Sequence, residues 1–312
     1  LETWPHVQAV CREEGAQPSA GAMAIHAGCC LAEFLAMTIF VSVCCGAATG
    51  VAGMDGWIQQ VSLTFGMCIY VLATTFERFG LQCNCAVTFA LAIAKLLNIE
   101  GCPDMCPVQA VANFVSQLLG SVVGASIVAV IREHESDNTM TLGSNTLGEG
   151  IGAGEAFVGE VLGTFVLVYL VFQTVTAKEP VPVRLAALPI SMAVYLAHSL
   201  LIPVDGCSIN PTRSFGPALI ASVRLSGVEG SEDLVTKIWE DMWVFWLGPL
   251  CGAALAVGVH VMMASVDKQT QTPPQQSEDG KNKPVEVPDG VIIGTTASPG
   301  PRPTSETIKD SE

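Results

Sequence analysis

Two carboxylates, Glu33 and Glu160, lie inside long apolar stretches, and each precedes an Asn-led tripeptide by nearly the same interval. Glu33 stands 51 residues before Asn84-Cys85-Ala86, and Glu160 stands 50 before Asn210-Pro211-Thr212. An ionisable group within an apolar span is a functional candidate by default. Two chemistries are open to it: relaying a proton, or accepting hydrogen bonds from backbone N–H groups that lipid would leave unpaired. The matched pairing favours the second, so Glu33 and Glu160 are read as braces. Arg213 follows Asn210 by three residues, Cys207 precedes it by three and His198 by twelve. A cation beside an apolar segment is costly unless it lines a wet cavity or snorkels to the interface. A lone Asn-Pro-Thr is an ordinary helix start, and a lone His is more often a satisfied core residue. Duplication at matched positions reverses that balance. No Ser-His-Asp set, paired catalytic carboxylates or phosphate-cradling Gly loop is placed to work, so an enzyme is not expected. Cys83-X-Cys85 and Cys102-Pro-Asp-Met-Cys106 have weak ligand spacing without nearby His, so neither a metal nor a cofactor is expected.

The elements that must position these residues are read from hydropathy. Leu31–Thr49, Trp57–Phe76, Pro107–Ile131, Ala156–Thr176, Leu185–Pro203 and Met242–Ser265 are each long enough to cross a bilayer as a helix. Two further apolar stretches, 86–97 and 214–223, are too short and suggest re-entrant half-helices. Each follows its Asn tripeptide and is followed by one more span, so the two halves match in order. Three spans per half is an odd number. The second copy therefore enters with opposite polarity, and the two half-helices meet near the midplane with their N-termini facing. Non-helical backbone at that depth is tolerated only when buried in protein or lining a wet cavity, which predicts a pore. The expected fold is an all-α membrane protein of six spans plus two half-helices in an inverted repeat. Its channel domain covers residues 30–265, with repeat one at about 30–131 and repeat two at about 155–265.

Composition agrees. Half of the 312 residues are apolar and 14% are charged, well below the quarter usual in soluble domains. A net charge of −15 without clustered Lys or Arg excludes a nucleic-acid partner. Residues 1–29 form an N-terminal tail. The stretch 266–312, rich in Pro, Ser, Thr and Gln, is expected to be a disordered C-terminal tail. The chain begins Leu-Glu-Thr-Trp rather than with Met, so its native start is expected upstream. Among the twelve cysteines, Cys29, Cys30, Cys44, Cys45, Cys68 and Cys251 fall in or beside apolar spans and are read as small buried hydrophobes.

In three segments the chain resembles the aquaporin family: Ala-Glu-Phe-Leu-Ala-Met-Thr at 32–38, Val-Ser-Leu-Thr-Phe-Gly at 61–66 and Gly-Cys-Ser-Ile-Asn-Pro-Thr-Arg-Ser-Phe-Gly-Pro-Ala at 206–218. Gln117 and the run Trp243-Val-Phe-Trp-Leu-Gly-Pro249 fit the same pattern. The resemblance implies two Asn turns abutting at the pore centre and an outer constriction of Phe65, His198, Cys207 and Arg213. Thr64 is the alternative to Phe65, because the stretch from Phe65 to Asn84 is one residue shorter than usual. Gln117 joins Glu33 and Glu160 as a brace. The implied function is passive water conduction that excludes protons and ions, driven by osmotic gradients. The two inward helix N-termini and Arg213 would oppose cations, while Asn84 and Asn210 would each orient a passing water.

Three departures stand out: Cys85 where the family has Pro, Thr212 where it has Ala, and a Glu77–Cys83 loop without the usual His residues. Alternatives left open are hydrogen peroxide, ammonia or glycerol as permeant, and a non-conducting structural membrane protein in which Cys85 and Thr212 occlude the pore. A small residue at position 198 and Asp at 214 would suit glycerol; His and Ser stand there. The resemblance also implies a homotetramer in a lipid bilayer. Gly120, Gly124 and Ala125 suit close helix packing. Lys178 and Arg184 put the link between the fourth and fifth spans on the cytoplasmic side, which agrees with both termini inside and is diluted by Arg132 on the opposite side; the plasma membrane is the expected location and an intracellular membrane the alternative.

Overall fold

The computed structural model describes residues 25–103, 105–177, 179 and 181–271. Nine α-helices are present among them, and six are long and apolar enough to span a bilayer. In chain order they are α1 (Ala27–Val51), α2 (Trp57–Thr75), α3 (Cys85–Leu96), α4 (Pro107–Ile131), α5 (Ala153–Val175), α6 (Val183–Asp205), α7 (Pro211–Leu225), α8 (Glu232–Glu240) and α9 (Met242–Gln271). No strand occurs among the described residues.

The spans are apolar on all sides, the pattern of helices surrounded by lipid and by one another. On α1 one face, with Ala32, Ala36, Met37 and Phe40, is buried, while Leu31, Leu35, Ile39 and Val43 form an outward stripe at intervals of four. Val111, Val115, Leu119, Val123 and Ile127 make the same stripe on α4. In water such surfaces would aggregate; in hydrocarbon they are solvated.

Packing follows the repeat. α1 lies against α4, and Gly120 and Gly124 bring the two backbones together. A Cβ on Gly120 would run into the Phe34 carbonyl, and one on Gly124 would come within 2.7 Å of the Thr38 carbonyl. Gly248 and Gly252 on α9 do the same against α5, where a Cβ on Gly248 would meet Glu160 Cβ at 2.7 Å. Gly120 and Gly124 thus pack within one protomer. α2 crosses to α6 and α4 to α7, which ties one repeat to the other.

Four features differ from the sequence reading. α6 continues two residues beyond Pro203, because a proline removes only its own N–H bond, and so it carries Asp205. α7 begins at Pro211, three residues before Ser214, which puts Arg213 in its first turn. Residues 132–152 fold back as a structured loop, with a 3-10 turn at His134–Ser136 and left-handed backbone at Met140, Leu142 and Gly143. α9 runs to Gln271, six residues past Ser265. Cys44, Cys45 and Cys68 are buried, Cys29 and Cys30 are half-buried, and Cys251 is exposed on α9. Of the expected tails at 1–29 and 266–312, residues 1–24 and 272–312 lie outside the described residues.

Candidate functional site

Each half-helix starts at its asparagine because the side chain caps it. Asn84 Oδ1 accepts from Ala86 N at 2.8 Å, and Asn210 Oδ1 accepts from Arg213 N at 3.4 Å. The residues just before each cap turn sharply, with Cys83 at φ 50°, Cys207 at φ 57° and Ile209 at φ 44°. Such backbone exposes N–H groups that no helix satisfies. Glu33 accepts from Gln82 N at 2.6 Å and Cys83 N at 2.9 Å; Glu160 accepts from Ser208 N at 2.7 Å and Ile209 N at 2.6 Å. Both carboxylates are almost fully buried.

The two turns also bond to each other. Asn84 Nδ2 donates to the Ile209 carbonyl at 2.8 Å, and Asn210 Nδ2 donates to the Cys83 carbonyl at 2.9 Å. Each amide has two N–H groups, and the crossed bond uses one of them. Gln117 ties this centre to the brace of repeat one: its Nε2 donates to Glu33 at 2.8 Å, and its Oε1 lies 3.3 Å from the Thr212 hydroxyl. Thr212 also bonds Asn210 Oδ1 at 2.6 Å. Cys85 and Pro211 occupy equivalent first positions of α3 and α7, and Ala86 is fully buried behind Asn84.

A cavity of ≈ 60 Å³ is lined by both asparagines, Phe40, Leu81, Val194 and His198 among others. Cys85, Ala86, Pro211 and Thr212 do not line it. Phe65, His198 and Arg213 meet at one place. The Phe65 and His198 rings lie 4.0 Å apart between centroids, and the Arg213 guanidinium carbon sits 5.2 Å from the Phe65 centroid. Thr64 instead hydrogen-bonds along its own helix to the Gln60 carbonyl. His198 Nδ1 is 2.8 Å from the Val194 carbonyl, which fixes the ring, and Nε2 has no protein partner. Cys207 is fully buried, with its N–H donated to Asp205 Oδ1 at 2.9 Å.

Sequence reasoning missed the residues that hold Arg213. Its Nη1 donates to the Gly143 carbonyl at 3.0 Å and to Asn145 Oδ1 at 2.8 Å. Asn145 also accepts from Ser214 Oγ at 2.7 Å and donates to the Asp205 carbonyl at 3.2 Å. Asp205 lies beyond the apolar stretch that ends at Pro203, although a carboxylate beside Gly206-Cys207 is a readable signal. Gly143 and Asn145 lie in an aperiodic loop and gave none. Among the described residues no cluster of three or more His, Cys, Asp or Glu is placed to hold a metal. Burial pushes the Cys102 thiol, in the link after α3, up to about 12, which keeps it protonated.

Comparison with known proteins bears on this geometry. The profile of the major intrinsic protein family matches residues 23–260. Aquaporin PIP2-7 of Arabidopsis thaliana is 35% identical over 251 residues, covering 76% of this chain and 82% of the relative. Aquaporin PIP1-1 of the same plant is 35% identical over 244 residues, covering 75% and 78%. Among solved structures, the aquaglyceroporin from Plasmodium falciparum superposes with a TM-score of 0.64 over 77% of this chain and 98% of its own, at 17% identity, which speaks to the fold alone. With a matching profile over most of its length, six spans and two capped half-helices meeting head to head, the chain belongs to the major intrinsic protein family, the aquaporins, and is a multi-pass membrane channel rather than an enzyme.

Proposed function

We propose that the chain conducts water passively and excludes protons and ions. The reading is carried by the meeting of Phe65, His198 and Arg213 beside a narrow cavity that both capping asparagines line. Phe65 and His198 supply bulk, Arg213 a permanent positive charge and Cys207 a small neighbour. The unpartnered Nε2 of His198 suits a passing water. The second N–H of Asn84 and of Asn210 suits the next, and two donors from opposite sides turn a water so that it cannot hand a proton onward. The N-termini of α3 and α7 add positive potential at the same level, each equivalent to roughly half a unit charge. Glu33, Glu160 and Gln117 act as braces, because their hydrogen bonds satisfy backbone and side-chain groups and none of the three lines the cavity. The permeation unit is one protomer, assembled as a homotetramer in the plasma membrane with both termini cytoplasmic.

Reconstituted vesicles test this. Under an impermeant osmolyte they are expected to shrink quickly and with a low activation energy, while remaining tight to glycerol and to protons. Measurable glycerol flux defeats the constriction assignment. One observation favours a second reading, a non-conducting structural protein: Phe65, His198, Cys207 and Arg213 are at most 3% exposed, so the constriction is tight. Shrinkage no faster than that of empty vesicles, at verified protein content, selects that reading.

A further inference from the structure

Arg213 is held at Nη1 by two acceptors on the 132–152 loop, so whatever fixes that loop fixes the guanidinium. The loop is organised around one fully buried carboxylate. Asp137 Oδ1 accepts from Thr139 N at 3.0 Å and from the Thr139 hydroxyl at 2.6 Å, and Oδ2 accepts from Leu142 N at 2.8 Å. The Thr139 hydroxyl in turn accepts from Gly143 N at 2.8 Å. Gly143 is the residue whose carbonyl receives Arg213. Leu142 and Gly143 both have left-handed backbone, at φ 55° and 70°, a conformation that needs outside support at Leu142.

Among the described residues Asp137 has one ion-pair partner. Arg224 reaches it through Nη2 and also donates from Nη1 to the Arg132 carbonyl at 3.3 Å. The Asp137 side chain is 0% exposed and that of Arg224 15%, so the pair is shielded from screening far better than a surface bridge. Arg224 lies on α7, eleven residues after Arg213 on the same helix, or about 16 Å along its axis. One rigid helix therefore presents the constriction cation at one end and, at the other, fixes the loop that receives it.

We propose that Asp137, Thr139 and Arg224 are positioning residues for selectivity: through the 137–145 loop they hold the two acceptors that set the pose of Arg213, and with it the solute size that passes. This rests on the water-filter reading above. Releasing the loop leaves Arg213 free to rotate on a single stem, and the opening varies in size. Destabilisation alone would lower the number of working channels and reduce water and glycerol flux together. A change in their ratio is therefore the signature of positioning.

The experiment measures water and glycerol permeability in vesicles carrying the parent, Arg224→Met, Thr139→Val and Arg213→Val at equal protein content. Thr139→Val removes only the hydroxyl between Asp137 and Gly143, so it keeps the test open should Arg224→Met fold poorly. The expected result is a glycerol-to-water ratio raised about two- to tenfold in Thr139→Val and Arg224→Met, the range that one lost hydrogen bond supports. A larger rise is expected in Arg213→Val. A raised ratio in Arg213→Val with parent-like ratios in the other two overturns the proposal and leaves the filter reading intact. A parent that moves no water, or an Arg213→Val ratio equal to the parent's, removes the filter reading and the proposal with it.

Discussion

A buried imidazole with one nitrogen bonded and the other bare is costly unless something polar visits the bare one. His198 is in that state, with Nδ1 on the Val194 carbonyl and Nε2 alone. If it lines the passage, His198→Gly removes the bulk facing Phe65, and glycerol permeability should rise by about tenfold or more, the low end of what one size-selecting contact supplies. Unchanged water and glycerol permeabilities in that variant would place the ring in the core. Cys85 poses a different question. It is the first residue of α3, a position whose N–H has no partner within the helix and where Pro211 stands in the other repeat. Cys85→Pro should therefore stabilise the protein by about 0.4–1 kcal/mol, read as a higher unfolding temperature in detergent, with water permeability kept. A loss of folded protein would show that the turn resists a fixed φ. His198, Cys207 and Arg213 were legible as candidates because they lie at fixed short offsets from Asn210. The loop acceptors of Arg213 were not, since they come from about 70 residues away and follow no period.

Among elements, the two half-helices depend on neighbours that are remote in sequence. Glu33→Leu leaves the N–H groups of Gln82 and Cys83 buried without an acceptor. The cost should be about 1–3 kcal/mol for each, visible as lower yield and thermal stability, with no gain in proton leak. A proton leak in the parent that Glu33→Leu abolishes would instead make Glu33 a relay. The Gly contacts make a second test. Gly252→Leu would drive a side chain into the backbone of Val161 and Phe165 on α5, and overpacking of that kind destabilises by about 1–3 kcal/mol. Spans and half-helices were readable because hydropathy sets their length and because Glu33, Asn84, Glu160 and Asn210 mark the repeat. α8 was not, being a short polar helix with only Ile238 buried. Nor was the fold-back of 132–152, whose form depends on Asp137 gathering its N–H groups rather than on any local pattern.

For the whole molecule, the outward stripes on α1 and α4 offer apolar surface to lipid and to other copies. Native mass spectrometry from mild detergent is expected to give four copies. A monomer that still conducts water would separate the pore from the assembly. Both repeats must be present before the centre of the protein is satisfied, because each asparagine donates to a carbonyl of the other turn. This bears on synthesis. At about 5–20 residues per second, the interval between making Asn84 and making Asn210 is about 6–25 s. Throughout it Asn84 Nδ2 and the Cys83 carbonyl wait without their native partners, and the turn of repeat one is held by side chains of its own half, Glu33 and Asn113 among them. A nascent first half thus encloses no passage. The central cavity takes its lining from both halves, so it is complete only once the Ser208–Asn210 turn is in place.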